Sequence, residues 1–375
     1  MKLGKAWKSP LVWTFVLSIV LLVAVGGWLL TDPATSRSDA LKTGGLAGGA
    51  VVALYALWLN DRRRQVEEGR QDIERQRHDL ELRRAEQDRD RVSDERFAKA
   101  IELLGHEADQ VRVGALHALA GLARSRPEYI QTVLDVVCSY LRRPYHHPRY
   151  AVDPDSSDRD RVVGEPEQER ELQVRLTAQR VISELLPDAL APDAPGYDLD
   201  LTGAVLEYFD LSGRKVGGLL LRYASLHSST NLSGCLIIRR AYFTGAGTGA
   251  GRLVGNFRCR GARFADRAWF SGTVFAENAD FSGTTFGGET AFKDAVFAKD
   301  AVFEDAVFDN TLDLRRTRFD GRTDLRFARP PTQISLYNTM VWPGKSPLLP
   351  DGWSLEAVTE EGARIVSPGF APTAS

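Results

Sequence analysis

Cysteine and net charge are both scarce in this sequence. Its 375 residues include 3 Cys, and 48 Lys and Arg nearly balance 50 Asp and Glu, which leaves a formal net charge of −2. Cys138, Cys235 and Cys259 are far apart and odd in number, so a disulfide framework is not expected and a reducing compartment fits. The balanced charge gives no reason to expect a nucleic-acid partner. At about 100–200 residues per domain, the length predicts two or three domains.

Motifs for catalysis are also lacking. The chain contains neither G-x-S-x-G nor H-E-x-x-H. His146 and His147 are adjacent, but no Cys or carboxylate completes a recognisable metal-ligand spacing around them. The stretch 244–256 (TGAGTGAGRLVGN) lacks the G-K-[ST] of a phosphate-binding loop and is interpreted as an inserted loop. We therefore expect no catalytic residue, metal, cofactor or small-molecule substrate.

Two apolar runs near the N-terminus predict membrane spans. Residues 11–30 hold no charged residue, and about 20 apolar residues cross a bilayer core. A secretory signal is the alternative, but a shorter apolar core and a small-residue cleavage site would mark it. Residues 44–59 form a shorter, glycine-rich second run. Lys and Arg flank the pair on both outer sides, which predicts a transmembrane hairpin over 1–60 in the cell membrane, multi-pass, with cytoplasmic N- and C-termini.

Helical patterns follow the spans. Residues 61–95 contain 12 acidic and 10 arginine residues, many of them three or four apart with the acid first, which predicts a charged helical stalk. Its apolar residues recur every seven positions, at Val66, Ile73 and Leu80. The intervening d positions are not apolar, so a single exposed helix is favoured, and a coiled-coil homodimer through the stalk is the alternative. Residues 96–190 carry amphipathic helices typical of a HEAT-like segment, with a proline-rich loop at 142–169.

A third pattern has neither the helical nor the strand period. In AFKDAVFAKDAVFEDAVFDN (291–310), successive phenylalanines are five, six and five residues apart. Large apolar residues recur every five positions from 201 to 226 and at alternating intervals of five and six from 259 to 325. The register of this spacing slips near Asn231. The predicted structural ladder consists of Leu201, Leu206, Leu211, Val216, Leu221, Leu226, Cys259, Phe264, Phe270, Phe275, Phe281, Phe286, Phe292, Phe297, Phe303, Phe308, Leu314, Phe319 and Leu325.

A narrow four-sided coil explains the ladder. Two residues before each ladder position from Phe264 onward stands Ala or Thr, with Leu312 as the exception. Both residues point inward because alternate residues of an extended stretch share a face. Each sixth residue is an extra one at a corner, and successive coils should stack at the β spacing of about 4.8 Å. Such a coil buries its apolar side only by stacking on the next, as in a solenoid.

Residues 201–327 resemble the pentapeptide-repeat proteins. The loose A-(D/N)-L-x-x unit of that family is matched by variants such as ADFSG (279–283) and AVFED (301–305). The resemblance implies a right-handed quadrilateral β-helix over 197–327 and no single activity. The stretches ERFAKAIELLG and VRVGALHALAGLARS also look like a helical segment that accompanies these repeats in some bacterial members.

The predicted fold is therefore multi-domain. Two N-terminal transmembrane helices, an α-helical stalk and the helical segment precede the right-handed quadrilateral β-helix. Pro330, Pro331, Trp342, Pro343 and Trp353 end the periodicity, so we expect 328–375 to form a C-terminal cap and tail.

Charge along the predicted solenoid is banded. Residues 211–264 contain nine Lys or Arg and no acid, and residues 266–313 contain ten acids and three bases. Six arginines follow between 315 and 329. Bands of this kind steer partners, and ordinary variation of a charge-tolerant outer face is the alternative.

Function is inferred from the architecture and from the missing site. The leading hypothesis is a membrane-tethered, non-enzymatic scaffold whose solenoid binds an unidentified cytoplasmic protein. A transmembrane sensor or signalling adaptor is the second hypothesis, although the loop between the spans is short. The resemblance adds a third, a DNA mimic that protects a topoisomerase. That role needs a continuously acidic rod, which the bands do not provide.

Overall fold

The computed structural model describes residues 10–30, 37–151, 162–246, 255–359 and 362–367. The chain divides into two compact units between Val92 and Ser93. The described residues form five α-helices: α1 (Pro10–Leu30), α2 (Arg37–Leu104), α3 (Asp109–Ser125), α4 (Ile130–Leu141) and α5 (Pro166–Leu185). Short 3₁₀ helices lie at Pro127–Tyr129, Pro148–Tyr150 and Pro343–Lys345.

The helix α2 is continuous over 68 residues. It includes the segments that the sequence suggested as a second span, a stalk and the first short helix. From 74 to 92 its side chains are all exposed, as the abundance of charged residues requires. Counting only the described residues, no helix has both the length and the apolarity that a bilayer crossing requires. The two transmembrane helices predicted at 11–30 and 44–59 are therefore not supported by the structure.

The helices α3 and α5 of the helical segment are amphipathic and bury one face. In α3 the buried residues are Ala115, Leu116, Leu119, Ala120 and Ala123. In α5 they include Val174, Ala178, Val181, Ile182 and Leu185. The helix α5 begins inside the predicted loop 142–169, because Glu165 and Gln168 form a capping box and Pro166 occupies the first helical position. Residues 152–161 of that loop lie outside the described residues.

The remaining described residues form short strands. They are β1 (Tyr197–Asp200), β2 (Val205–Asp210), β3 (Lys215–Leu220), β4 (Ser225–Asn231), β5 (Leu236–Ile237), β6 (Ala241–Tyr242), β7 (Asn256–Arg258), β8 (Arg263–Phe264), β9 (Ala268–Trp269), β10 (Val274–Phe275), β11 (Ala279–Asp280), β12 (Thr285–Phe286), β13 (Thr290–Ala291), β14 (Val296–Phe297), β15 (Ala301–Val302), β16 (Val307–Phe308), β17 (Thr311–Asp313), β18 (Arg318–Phe319), β19 (Thr323–Asp324), β20 (Gln333–Ser335), β21 (Met340–Val341), β22 (Ser354–Thr359) and β23 (Gly362–Val366).

These strands stack as a β-solenoid of about 6 turns. We name its four faces by their strands. Face A stacks β3, β5, β8, β12 and β16, and face B stacks β1, β3, β6, β9, β13, β17 and β20. Face C contains β10, β14, β18 and β21, and face D contains β2, β4, β7, β11, β15 and β19. The strand β3 serves two faces, because Lys215–Val216 pairs with β5 and Leu219–Leu220 pairs with β6.

Every residue of the predicted ladder is buried in the solenoid core. Corresponding ladder residues of successive coils stack: Phe275 on Phe297 at 4.5 Å, Phe281 on Phe303 at 4.7 Å and Phe297 on Phe319 at 4.8 Å between ring centroids. These distances equal the β spacing, because one coil lies above the last at the separation of hydrogen-bonded strands. The small residues two positions earlier are buried as well.

The ladder continues near Asn231, where the sequence indicated a change of register. Leu232, Ile237 and Phe243 are buried and continue the same columns. The spacing there differs from the strict five-residue ruler, which is why the pattern looked broken. Residues 247–254, the centre of the predicted glycine-rich insertion, lie outside the described residues.

Both ends of the solenoid are covered. At the start, α4 packs against β1 and α5 packs against β2. One apolar core therefore continues from Ala100 in α2 to Ile365 in β23. At the other end, parallel pairing continues beyond the predicted boundary at 327 as far as β21. There β23 pairs antiparallel with β21, and β22 pairs antiparallel with β23. Trp353 packs edge-on against Phe327, 6.1 Å between ring centroids.

Candidate interaction surface

The three cysteines, one in α4 and two in the solenoid, are not accessible for reaction. Cys138, Cys235 and Cys259 are all free and buried. Burial raises the pKa of Cys138 and of Cys235 to about 12, and it also raises the pKa of Cys259. A thiol of this kind stays protonated at neutral pH and is a poor nucleophile. Cys259 lies between Leu232 and Phe281 in one column of the core.

The histidine pair is divided between two environments. His147 is buried; its Nδ1 accepts the backbone N–H of Arg149 at 3.3 Å, so its Nε2 carries the proton that it shares with Glu169 at 3.0 Å. Hydrogen bonding from the Gly164 N–H, followed by His147, lowers the pKa of Glu169. His146 lines a surface groove instead. Over the described ranges, no group of three or more His, Cys, Asp or Glu is placed to hold a metal ion.

A buried polar network joins the helical segment to the first coils. Glu207 in β2 is buried, and its carboxylate accepts hydrogen bonds from Tyr150 at 2.9 Å, from Ser228 at 2.9 Å and from Arg149 at 3.2 Å. The Tyr150 ring stacks on His227 at 3.8 Å between centroids. Burial, then the Glu207 carboxylate, raises the pKa of Tyr150. Paired in this way, the carboxylate serves to fix the 3₁₀ turn 148–150 against β2 and β4.

A second buried cluster holds the helices together. The Arg175 guanidinium donates to the backbone carbonyls of Leu141 at 2.6 Å and Arg143 at 3.0 Å and lies over the Tyr145 ring. Glu171 accepts hydrogen bonds from Tyr140 and Arg112. Burial lowers the pKa of Arg175, and the nearby Glu171 opposes that effect. These contacts connect α3, α4 and α5 and explain why charged residues lie inside the helical segment.

Two surface grooves lie next to these networks. One, of about 310 Å³, lies between α5 and β2 and is lined by residues that include Gln179, Arg180, Tyr208 and Arg214. The other, of about 910 Å³, lies beside the start of α5 and includes His106, Arg143 and Glu167. Both linings mix acids and bases without converging groups, so neither groove indicates a reaction.

The outer faces carry the charges that the sequence showed as bands. Arg316 forms a bidentate pair with Asp294, 22 residues earlier, with an Nη2–Oδ2 distance of 2.8 Å. Arg326 pairs with Glu304 at 2.9 Å across the same interval. Because one coil is about 22 residues long, the arginines of the last band lie beside the acids of the middle band. The two C-terminal bands therefore neutralise each other across coils, and the sequence alone did not indicate this.

A cluster of arginines and aromatic residues lies on face B, partly within the N-terminal basic band; its arginines and Tyr223 are exposed, Trp269 is half-buried and Tyr242 is buried. We name it the aromatic–arginine patch, and it consists of Arg222, Tyr223, Arg240, Tyr242, Arg267 and Trp269. The Tyr242 and Trp269 rings stack at 4.8 Å and 21°. The Arg222 guanidinium lies 4.5 Å from the Tyr242 ring centre, and that of Arg267 lies 5.9 Å from the Trp269 ring centre. The sequence predicted the basic band but not the aromatic pair, because Tyr242 and Trp269 meet only when coils stack.

Comparison with known proteins gives one match. Residues 281–329 match the family model described as pentapeptide repeats (9 copies). The search of curated proteins and the search of solved structures each returned no significant match. The matched residues include β12 to β19 and the most regular part of the phenylalanine columns.

Proposed function

The chain is a pentapeptide-repeat protein, and we propose that it is a non-enzymatic scaffold whose solenoid binds a partner protein. One observation carries the proposal: the solenoid core holds packing side chains, while the varied charged and aromatic side chains face outward. A repeat structure of this kind offers extended, stacked surfaces, and binding is what such surfaces do best. Fold alone does not assign a function, so the argument rests on where these side chains lie.

The test is site-specific photo-crosslinking in the full-length chain, expressed in its own host. A benzophenone amino acid replaces Ser271, Thr285 or Val296, which lie on different outer parts of the solenoid. The matched control places it at Arg84, on the exposed part of α2. We expect one or more solenoid positions to form an adduct with a specific protein that the Arg84 position does not form. No adduct at any of the three positions would contradict the scaffold.

Membrane attachment is a further proposal, and it rests on the sequence. The uncharged run 11–30 has the length of a bilayer crossing. Large apolar side chains of α1 are exposed, with Trp13 at 64%, Val23 at 63% and Trp28 at 77%. Carbonate extraction of host membranes provides the test: we expect the native chain in the pellet, and a Val20→Arg, Val23→Arg double variant to be released. Release of the native chain would contradict the proposal.

The other two hypotheses have less support. A DNA mimic needs a long acidic surface, whereas the C-terminal arginines pair with the acids of the preceding coils. The sensor hypothesis stays a prediction of the sequence.

A further inference from the structure

We propose that the aromatic–arginine patch is the docking surface for an acidic segment of a partner protein. The inference rests on the scaffold function proposed above and specifies which surface of the solenoid binds and which chemistry it selects.

The first argument is the direction of the side chains. Tyr242 and Trp269 are paired positions of neighbouring strands β6 and β9. The residues that follow them, Phe243 and Phe270, are buried in the core and stack on each other at 4.5 Å. Since alternate residues of a strand point to opposite sides, Tyr242 and Trp269 must lie on the outer side of face B. Tyr242 is buried there between the Trp269 ring and the Arg222 guanidinium, so the arginines form the accessible part of the patch.

The second argument is an exposed aromatic ring at the edge of the patch. Tyr223 has φ +55° and is 66% exposed. It lies at a corner of the solenoid where the chain adopts positive φ in successive coils, at Gly203, Gly245 and Gly272 and further along at Asp294, Arg316 and Asn338. Tyr223 therefore displays an aromatic ring beside Arg222 on the outer surface.

The third argument is unsatisfied bonding capacity. Within the described part of the chain, the indole Nε1 of Trp269 is buried and has no hydrogen-bond partner. Over the same residues, Arg222 and Arg240 form no ion pair, although many other arginines of the solenoid do. Buried donors are normally satisfied. The patch therefore presents two exposed guanidinium groups that lack an ion pair, and beneath them lies a buried indole N–H without an acceptor.

Charge complementarity identifies the occupant. Residues 211–264 contain no acid, so Arg222 and Arg240 come from a stretch without carboxylates, whereas Asp266 directly precedes Arg267. Trp, Tyr and Arg are the residues that contribute most to protein–protein binding, and arginine binds carboxylates in a bidentate manner. An acidic segment would place its carboxylates on Arg222 and Arg240, beside the exposed ring of Tyr223.

The length of the patch along the solenoid axis favours a protein segment over a nucleic acid. Asp198 pairs with Arg239 at 2.5 Å on one side, and Glu289 faces Arg267 at 3.8 Å on the other. These carboxylates enclose about three coils, or roughly 10–15 Å at the β spacing. A duplex carries one charge per about 1.7 Å of its axis and would extend past both carboxylates.

The experiment uses the full-length chain with the benzophenone amino acid at Ser271, beside the patch. Two variants are compared in this background, Arg222→Glu and Arg263→Glu. Both change the charge by the same amount within the same basic band, but Arg263 is an exposed residue on face A. We expect Arg222→Glu to lower the adduct yield by about tenfold or more, as loss of an interface hot spot does, and Arg263→Glu to leave it nearly unchanged. The partner peptide found in the adduct by mass spectrometry should be rich in Asp and Glu.

Each other outcome overturns the inference in a different way. Equal loss in both variants would indicate general attraction by the basic band. An adduct with nucleic acid would assign the patch to the other class of macromolecule, and an adduct with a second copy of this chain would assign it to self-association. Adducts at Thr285 or Val296 but not at Ser271 would leave the scaffold function standing and reject this surface. The absence of any adduct would contradict the scaffold function itself.

Discussion

At the scale of single residues, Phe257 departs from the rule of small residues beside the ladder. Its register partner one coil later is Ala279, and Ala301 follows on the next coil. Its buried ring contacts Phe243, Phe270, Phe275 and Phe281. A large ring thus fills the coil that directly follows residues 247–254. The spacing of the ladder was readable from the sequence because each step puts one side chain on the axis, but this exception depends on packing between coils.

Replacement of Phe281 by alanine should destabilise the centre of the solenoid. The ring is buried and stacks on Phe303, so its removal leaves a cavity that costs about 3–5 kcal/mol. Phe281→Leu is the matched control, since Leu325 fills the same column two coils later. Hydrogen exchange at the amides of coils 270–308 is the measurement. Equal protection in the alanine variant and the native chain would show that the column contributes little.

The three thiols should be unreactive in the folded chain. Burial raises the pKa of Cys138 and Cys235 to about 12, and the thiolate is the reactive form. We expect no labelling by a disulfide reagent at pH 8 and labelling of three thiols after denaturation in urea. Rapid labelling of the native chain would mean that a coil opens readily.

At the scale of elements, one coil is the unit that aligns charges. Arg326 bonds Asp324 within its own coil at 2.6 Å and reaches Glu304 one coil earlier at 2.9 Å. Such alignment could not be deduced from charge bands along the chain, because the length of a turn decides which residues become neighbours. The helical cap could not be predicted from the sequence either. The sequence indicates that α4 and α5 are amphipathic, but it does not indicate that β1 and β2 pack against them.

The pairing at Asp324 makes the last coils sensitive to acid. Burial raises the pKa of Asp324, but the hydrogen bonds from Arg326 lower it by more, so the net value lies below the usual one. A carboxylate with a lowered folded-state pKa stabilises the fold above its unfolded pKa of about 3.9 and loses that effect as the pH falls through the folded value. We expect the free energy of unfolding to fall between about pH 5 and pH 2. Asp324→Asn should show a smaller fall, measured by urea unfolding at each pH, and an identical fall would contradict the assignment.

At the scale of the whole molecule, the closed ends keep the solenoid from pairing with other chains. The hairpin of β22 and β23 covers the outer edge of β21. An uncovered edge presents unpaired N–H and C=O groups that favour association. Truncation of the chain before Pro350 should therefore produce higher oligomers. Light scattering after size-exclusion chromatography measures this, with the Arg364→Ala variant as a control that keeps the hairpin. A truncated chain with the native mass would contradict the role of the cap.

Because one coil has about 22 residues, the solenoid can lengthen only by whole coils if its faces are to keep their directions. Thr285, Val307 and their neighbours occupy the same outward position one coil apart. Insertion of one full coil would move the last coils and their cap by about 4.8 Å without turning any face. Insertion of half a coil would place faces C and D where A and B had been. A gene that gains or loses whole coils can thus change the distance between two bound partners while it preserves the side on which each one binds.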